Sequence, residues 1–211
     1  VLAALFAWLN RRSPRQPVAT PLVLLGVVIF QGLLGMWTVT LLLKPLIVMG
    51  HLLGGLTTLG LLTWLLLEDR RRNADRQPRA VVGPVVAGLL VLIGQIALGG
   101  WTSSNYAALA CPDFPLCQGQ WRPSMDFAQA FTLRRELGHT GDGGLLSSEA
   151  LTAIHWSHRL GALAVLLGVG TLALALLGSA WPGGHFWGWS LLGLLALQLG
   201  IGIANVLFAL P

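Results

Sequence analysis

Two histidines occupy matching positions in two apolar segments, and their setting suits metal ligation. His51 and His158 each stand three residues before a glycine, in Gly-His-Leu-Leu-Gly-Gly and Ser-His-Arg-Leu-Gly-Ala, which align without a gap. An imidazole inside a membrane is costly unless it is satisfied, so it is a functional hypothesis by default. Because helix bundles hold heme iron through axial imidazoles, we predict that His51 and His158 are ligands of heme iron.

The competing interpretation is a histidine that is hydrogen-bonded to a neighbouring helix. It would be preferred for one histidine alone, but recurrence at equivalent positions favours ligation. His155, one turn before His158, is expected to line the same pocket, whereas His139 and His185 stand in polar and turn segments and are not expected to be ligands. Arg159 is predicted to pair with a heme propionate. Extension of its guanidinium to lipid phosphate is the alternative.

A Gln-x-x-x-Gly pattern begins at Gln31, Gln95 and Gln198, and the first two copies precede the two histidine segments. Recurrence of this kind indicates duplicated helical units. Each glutamine either packs helices together or contacts a cofactor. The spacing from Gln31 to His51 predicts a further histidine near position 218, and residues 1–9 resemble the inner end of another histidine-bearing helix. We therefore expect an internal piece of a longer protein with four such histidines.

These residues must be carried by membrane helices. Of the 211 residues, 55% are hydrophobic and 10% are charged, and the mean hydropathy is +0.72, too apolar for a water-soluble globule. A membrane helix needs roughly 20 apolar residues. Five segments meet or approach this length: 21–43, 45–67, 80–101, 151–177 and 186–210. The predicted fold is an all-α transmembrane bundle of duplicated four-helix halves, with residues 1–79 belonging to the first half and 80–211 to the second.

The net charge of +5 does not indicate nucleic-acid binding, because the arginines cluster beside the membrane segments. They are Arg11, Arg12 and Arg15 after the first stub, and Arg70, Arg71, Arg72, Arg76 and Arg79 after the second full segment. Alternating helices place both clusters on one side, which the positive-inside rule makes cytoplasmic. The loop 102–149 is then external.

That loop contains both cysteines of the chain, Cys111 and Cys117, with two prolines between them. The prolines favour a compact turn, and disulfides persist outside the cytoplasm. A structural or redox-active disulfide is the first interpretation. Two free thiols are the alternative, and a metal pair is disfavoured because no histidine or third cysteine stands at ligand spacing.

Three motifs together resemble the heme A synthase family: Gly-Gly-Trp-Thr-Ser-Ser-Asn-Tyr-Ala from Gly99, Ala-Cys-Pro-Asp-Phe-Pro-Leu-Cys-Gln-Gly-Gln-Trp from Ala110, and His-Arg-Leu-Gly-Ala from His158. The resemblance covers nearly the whole chain. It implies an eight-helix protein of two similar halves, in which this chain runs from the end of the second helix through the seventh.

The resemblance further implies an enzyme that oxidises the C8 methyl group of heme O to a formyl group, giving heme A for cytochrome oxidase. By the same analogy, His51 and His158 are axial histidines of the two halves, heme b is bound in the second half, and Cys111 and Cys117 are the family's external cysteine pair. The family's catalytic glutamate, in a Glu-x-x-His-Arg motif, would lie upstream. The chain by itself is therefore expected to be inactive.

The expected setting is a bacterial cytoplasmic membrane, with heme O synthase, an electron donor and further copies of the chain as candidate partners. The main rival function is a diheme b-type cytochrome that only passes electrons. A transporter or a non-catalytic assembly factor with structural histidines is a third possibility.

Overall fold

The computed structural model describes residues 1–13, 17–41, 44–72, 79–133, 139 and 143–210. Seven helices occur in these residues: α1 (Leu2–Leu9), α2 (Ala19–Thr40), α3 (Pro45–Arg72), α4 (Arg79–Ser104), α5 (Phe127–Ala130), α6 (Ser148–Leu177) and α7 (Gly184–Leu207). The same residues contain two isolated β-bridges and no strand. The prediction of an all-α fold is confirmed.

Five of the described helices are long and apolar enough to cross a membrane: Ala19–Thr40, Pro45–Glu68, Val82–Ser104, Ser148–Leu177 and Gly184–Leu207. They correspond to the five segments expected from hydropathy. Large apolar side chains such as Leu90, Leu167 and Leu194 are about 60% exposed. Leucines on the outer surface of helices of this length are suited to contact with the hydrocarbon core of a membrane, where exposure of apolar side chains carries no cost of hydration. Polytopic membrane architecture is therefore confirmed.

The chain divides into two compact units, Val1–Asp75 and Arg76–Pro211. In the first unit α2 packs against α1 and α3, and in the second α6 packs against α4, α5 and α7. The assignment of these units to duplicated halves, with a boundary after residue 79, stays a prediction.

Six of the arginines in the predicted cytoplasmic clusters lie outside the described residues or side chains: Arg15, Arg70, Arg71, Arg72, Arg76 and Arg79.

Helix α6 is the core of the second unit. Its start is capped by Ser147, whose hydroxyl accepts a hydrogen bond from the Ala150 N–H at 3.2 Å, satisfying one of the unpaired donors of a helix end. Thr152, Ala153 and Ile154 on its first turns are almost fully buried. The N-terminal end of α6 is therefore covered on several sides, which is the setting of His155, His158 and Arg159.

Close packing of α7 on α6 depends on glycine. A Cβ atom at Gly188 would lie 2.6 Å from Cγ of Leu177 and 2.9 Å from the carbonyl oxygen of Ala173, both on α6. The backbone oxygen cannot move aside as a flexible side chain can. Gly188 therefore sets how closely these two helices approach, as small residues commonly do in membrane bundles.

We expect Gly188→Ala to destabilise the protein by about 1–3 kcal/mol, the usual cost of overpacking. The matched control is Gly193→Ala on the same helix, where the added methyl meets no atom within 4 Å. Alanine there should be neutral or stabilising by about 0.5–1 kcal/mol. Thermal unfolding of the detergent-solubilised protein measures both, and equal midpoints for the two variants would contradict the close approach of α6 and α7.

Candidate functional site

His51 and His158 face glycines in matching ways. A Cβ atom at Gly35 of α2 would lie 3.1 Å from Cε1 of His51 on α3, and one at Gly99 of α4 would lie 3.3 Å from Cε1 of His158 on α6. These distances leave no room for a larger residue unless the imidazole moves. In the first two copies of the Gln-x-x-x-Gly pattern, the glycine therefore provides the space in which a histidine ring lies.

The glutamines of these two copies, Gln31 and Gln95, contact the same two histidines. Nε2 of Gln31 donates to the carbonyl oxygen of His51 at 2.5 Å, and Nε2 of Gln95 donates to the carbonyl oxygen of His158 at 3.1 Å. Each glutamine also lies against a glycine that follows its histidine, because a Cβ atom at Gly54 or Gly161 would overlap the glutamine Oε1.

Two helices in each unit are thus interlocked by one Gln, one His and two Gly residues. The sequence contained both halves of this pattern, but it did not indicate that they pair with one another. The packing interpretation of the glutamines is supported, since each one ties two helices together. Their contact with a predicted ligand histidine was not foreseen.

The two rings differ in their polar contacts. Nδ1 of His158 lies 3.1 Å from Nε2 of Gln95. Nδ1 of His51 is buried and has no hydrogen-bond partner among the described residues. Both residues are only partly buried. A buried ring nitrogen without a partner is costly and fits a site that is completed by a ligand.

Single histidines suit a planar metal cofactor better than a bare ion. In the part of the chain that the structure describes, no three His, Cys, Asp or Glu side chains converge to hold a metal ion. Heme needs only one protein ligand on each face of its iron, because the porphyrin supplies the other four. The recessed imidazoles of His51 and His158 would each supply one such ligand.

Cys111 and Cys117 form a disulfide, with their Cα atoms 4.6 Å apart, and no cysteine in the described residues is free. The loop between them is organised by Asp113. Its Oδ2 accepts from the Gly119 N–H at 2.8 Å and its Oδ1 accepts from the Gln118 N–H at 2.6 Å. Gly119 has a φ of +74°, a conformation that glycine adopts without strain.

Arg159 ties this disulfide loop to α6. Its Nη1 donates to the carbonyl oxygen of Leu116 at 2.7 Å, and its Nη2 donates to those of Cys111 and Asp113, both at 2.9 Å. These three bonds satisfy carbonyl groups that the compact loop cannot pair internally. A guanidinium has five N–H donors in a rigid fork, which suits this task.

His155 belongs to the same contact between loop and helix. It is 5% exposed, its Nδ1 accepts from the backbone N–H of Cys111 at 3.2 Å, and its Nε2 lies 3.3 Å from Nε of Arg159. Gln118 adds a hydrogen bond from its Nε2 to Oγ1 of Thr152 at 3.0 Å. His155 therefore supports the disulfide loop, a role that the sequence did not suggest.

The remaining histidines lie elsewhere. Nδ1 of His139 lies 2.9 Å from the carbonyl oxygen of Gly143, and His185 is exposed in the first turn of α7, directly after Gly184. Neither has the glycine recess and glutamine contact that His51 and His158 share.

The disulfide loop supports a prediction about Arg159. Cys111 and Cys117 are 1% and 0% exposed, so a reductant reaches the disulfide only when the loop opens. Loss of one hydrogen bond to a charged group costs about 1.5–3 kcal/mol. We expect Arg159→Gln to accelerate reduction of the disulfide by roughly tenfold or more, measured by the rate of thiol labelling in a water-soluble reductant. Exposed Arg122, changed to Gln, is the control. Equal rates for the two variants would show that Arg159 does not hold the loop.

Asp113 makes the loop sensitive to acid. The N–H groups of Gly119 and Gln118 stabilise the ionised carboxylate, so the pKa of Asp113 lies below its ordinary value of 3.8. Because the folded pKa is lowered, the stabilisation is present above the unfolded pKa and is lost as the pH falls through the folded value. We expect hydrogen-exchange protection of the Gln118 and Gly119 amides, corrected for intrinsic rates, to fall below about pH 4. Asp113→Asn should remove this dependence; if the variant retains it, another group is responsible.

Comparison with known proteins agrees with these features. The family model for the cytochrome oxidase assembly protein matches residues 1–211. A heme A synthase of Shewanella oneidensis is 41% identical over 216 residues, covering 100% of this chain and 64% of the relative. A heme A synthase of Shouchella clausii is 32% identical and one of Halalkalibacterium halodurans is 29% identical; the matches cover 74% and 75% of this chain and 53% and 54% of those proteins.

The chain therefore spans between about half and two thirds of the length of these relatives. No solved structure matches it. The family resemblance inferred from the histidine and cysteine motifs is confirmed, since the family model matches every residue of the chain. The chain belongs to the cytochrome oxidase assembly protein family, and its five apolar helices make it an integral membrane member of that family.

Proposed function

We propose that the chain is part of a heme A synthase, an oxidoreductase that converts the C8 methyl group of heme O into the formyl group of heme A. The observation that carries this proposal is the repeated Gln-His-Gly interlock, which presents one recessed imidazole in each unit. The names of the similar proteins from Shewanella oneidensis, Shouchella clausii and Halalkalibacterium halodurans support it.

His51 and His158 are the proposed axial ligands, His51 in the first unit and His158 in the second, where heme b is expected. Bound heme iron would supply the oxidising centre that an unactivated methyl group requires. The protein contributes orientation and exclusion of water. Gly35 and Gly99 let each ring sit close to the facing helix, and the surrounding apolar helices keep the reacting group away from bulk water.

Arg159 retains a proposed part in binding a heme propionate. Three of its five N–H groups donate to the carbonyl oxygens of Leu116, Cys111 and Asp113. Nε lies 3.3 Å from Nε2 of His155, and the second N–H of Nη1 is left for a carboxylate. A propionate held there would lie next to the disulfide loop. Contact of the same N–H with lipid phosphate is the competing proposal.

The wider setting is also part of the proposal. We infer a bacterial cytoplasmic membrane, with the arginine clusters on the cytoplasmic side and the disulfide loop outside, where Cys111–Cys117 would persist. Heme O synthase, an electron donor and further copies of the chain are the expected partners. Partner histidines and the catalytic glutamate are expected in flanking sequence, so we expect the 211 residues alone to be inactive.

The test is made on the full-length gene product, expressed with heme O synthase in a bacterium that lacks its own heme A synthase. We expect extracted hemes to include heme A, and His51→Ala or His158→Ala to reduce it to background because an axial ligand is lost. His139→Ala is the control and should retain the product. Bound heme b without hydroxylated or formylated heme would indicate an electron-transfer cytochrome, and the absence of a Soret band would indicate a transporter or assembly factor.

A further inference from the structure

The contact between glutamine and histidine differs between the two units at one ring nitrogen. Gln31 and Gln95 each donate to a histidine carbonyl, but only Gln95 also lies within hydrogen-bond distance of a ring nitrogen, Nδ1 of His158 at 3.1 Å. Nδ1 of His51 has no hydrogen-bond partner among the described residues. Gln95 therefore contacts both the ring and the backbone of His158, whereas Gln31 hydrogen-bonds only to the backbone of His51.

We propose that Gln95 is a positioning residue, which fixes the ring of His158 through Nδ1 and so selects Nε2 as the atom that binds heme iron. The proposal rests on the proposed function, because it assumes that His158 is a heme ligand. It assigns no corresponding role to Gln31.

The surroundings of Gln95 allow little freedom. Its amide is held by the carbonyl oxygen of His158 and lies against Gly161, where a Cβ atom would overlap Oε1 and would lie 3.0 Å from Cδ1 of Leu98. The side chain therefore reaches Nδ1 from one direction. An imidazole bonded at Nδ1 cannot rotate without breaking that bond, which leaves Nε2 as the ring nitrogen that Gln95 does not engage.

An amide can serve this ring in both tautomers. When Nδ1 carries no proton, it accepts from Nε2 of Gln95, which lies 3.1 Å away. A histidine that binds a metal through Nε2 carries its proton on Nδ1 and usually donates it to a neighbouring acceptor. Oε1 of Gln95 is buried without a hydrogen-bond partner among the described residues. A half turn of the amide would present Oε1 to the Nδ1 proton in place of Nε2, at the cost of the bond from Nε2 to the carbonyl oxygen of His158.

This arrangement has an electronic consequence. A hydrogen bond accepted from Nδ1–H makes the imidazole a stronger donor to the metal, and a carboxylate acceptor does so more strongly than an amide. A stronger donor favours ferric over ferrous heme and lowers the reduction potential. The reduction potential of heme at His158 should therefore fall as the acceptor at position 95 becomes stronger. We expect the lowest potential with Glu, an intermediate one with Gln and the highest with Leu.

The experiment uses the full-length protein in a His51→Ala background, so that heme bound through the His158 site is observed alone, with ferric protoheme as the probe. We expect Gln95→Leu to weaken heme retention by roughly 10- to 100-fold, the usual effect of losing such a partner, and to raise the midpoint potential. Gln95→Glu should lower the potential. The electron paramagnetic resonance g-values should shift in both variants.

The matched control is Gln31→Leu in a His158→Ala background. Gln31 touches only the backbone of its histidine, so its loss should weaken helix packing and leave the midpoint potential of heme at His51 unchanged. If Gln95 had a purely structural role, Gln95→Leu would likewise weaken helix packing and leave the midpoint potential of heme at His158 unchanged. If Gln95→Leu fails to fold, the sign of the shift in Gln95→Glu still decides.

Failure of the positioning role and failure of the proposed function give different results. Unchanged potentials and g-values in both Gln95 variants, with heme still bound, would overturn the positioning role alone. Absence of bound protoheme from the His51→Ala parent and from the unmodified protein would overturn both.

Discussion

Polar groups inside a membrane must be satisfied within the protein, and the helix pairing in both units follows from that constraint. Gln31 and Gln95 cannot remain unpaired in hydrocarbon, and each reaches a histidine carbonyl on the adjacent helix. That reach is possible only because Gly54 and Gly161 leave space for the amide. Gly35 and Gly99 in the same way leave space for the imidazole rings of His51 and His158. Helix approach, glutamine pairing and histidine placement are therefore parts of one packing solution.

The second unit adds a covering loop to this solution. Residues 105–126 return over the N-terminal end of α6, and their carbonyl groups need donors that neither a helix nor a strand supplies. Arg159 supplies three of them, and His155 accepts the N–H of Cys111. In the first unit, Leu52 stands in the place of Arg159 and Val48 in that of His155, and only residues 41–44 separate α2 from α3. One repeat thus carries a polar cap and the other does not.

That difference bears on how the two proposed heme sites would behave. In the second unit, the ring of His158 is held by Gln95, and the next residue, Arg159, is fixed by the disulfide loop. In the first unit, His51 lacks both restraints within the described residues. A histidine that is oriented in advance loses less freedom when it binds a metal, which supports the proposal that heme b is bound in the second unit.

The sequence by itself determined the elements that depend on local composition. Runs of apolar residues predicted five membrane helices, the repeated motifs placed His51 and His158 in equivalent positions, and the proline-rich spacing indicated that Cys111 and Cys117 could bond. Each of these follows from neighbours within a few helical turns, because hydropathy and backbone restriction act locally.

The tertiary structure alone decided which polar groups meet. Gln95 contacts a histidine 63 residues away, and Arg159 contacts carbonyl groups 43 to 48 residues away. Residue types do not reveal such pairs, since one guanidinium suits a propionate, a lipid phosphate or a loop carbonyl equally well. Only the folded distances assign Arg159 and His155 to the disulfide loop and Gln95 to the ring of His158, because a hydrogen bond requires donor and acceptor within about 3 Å.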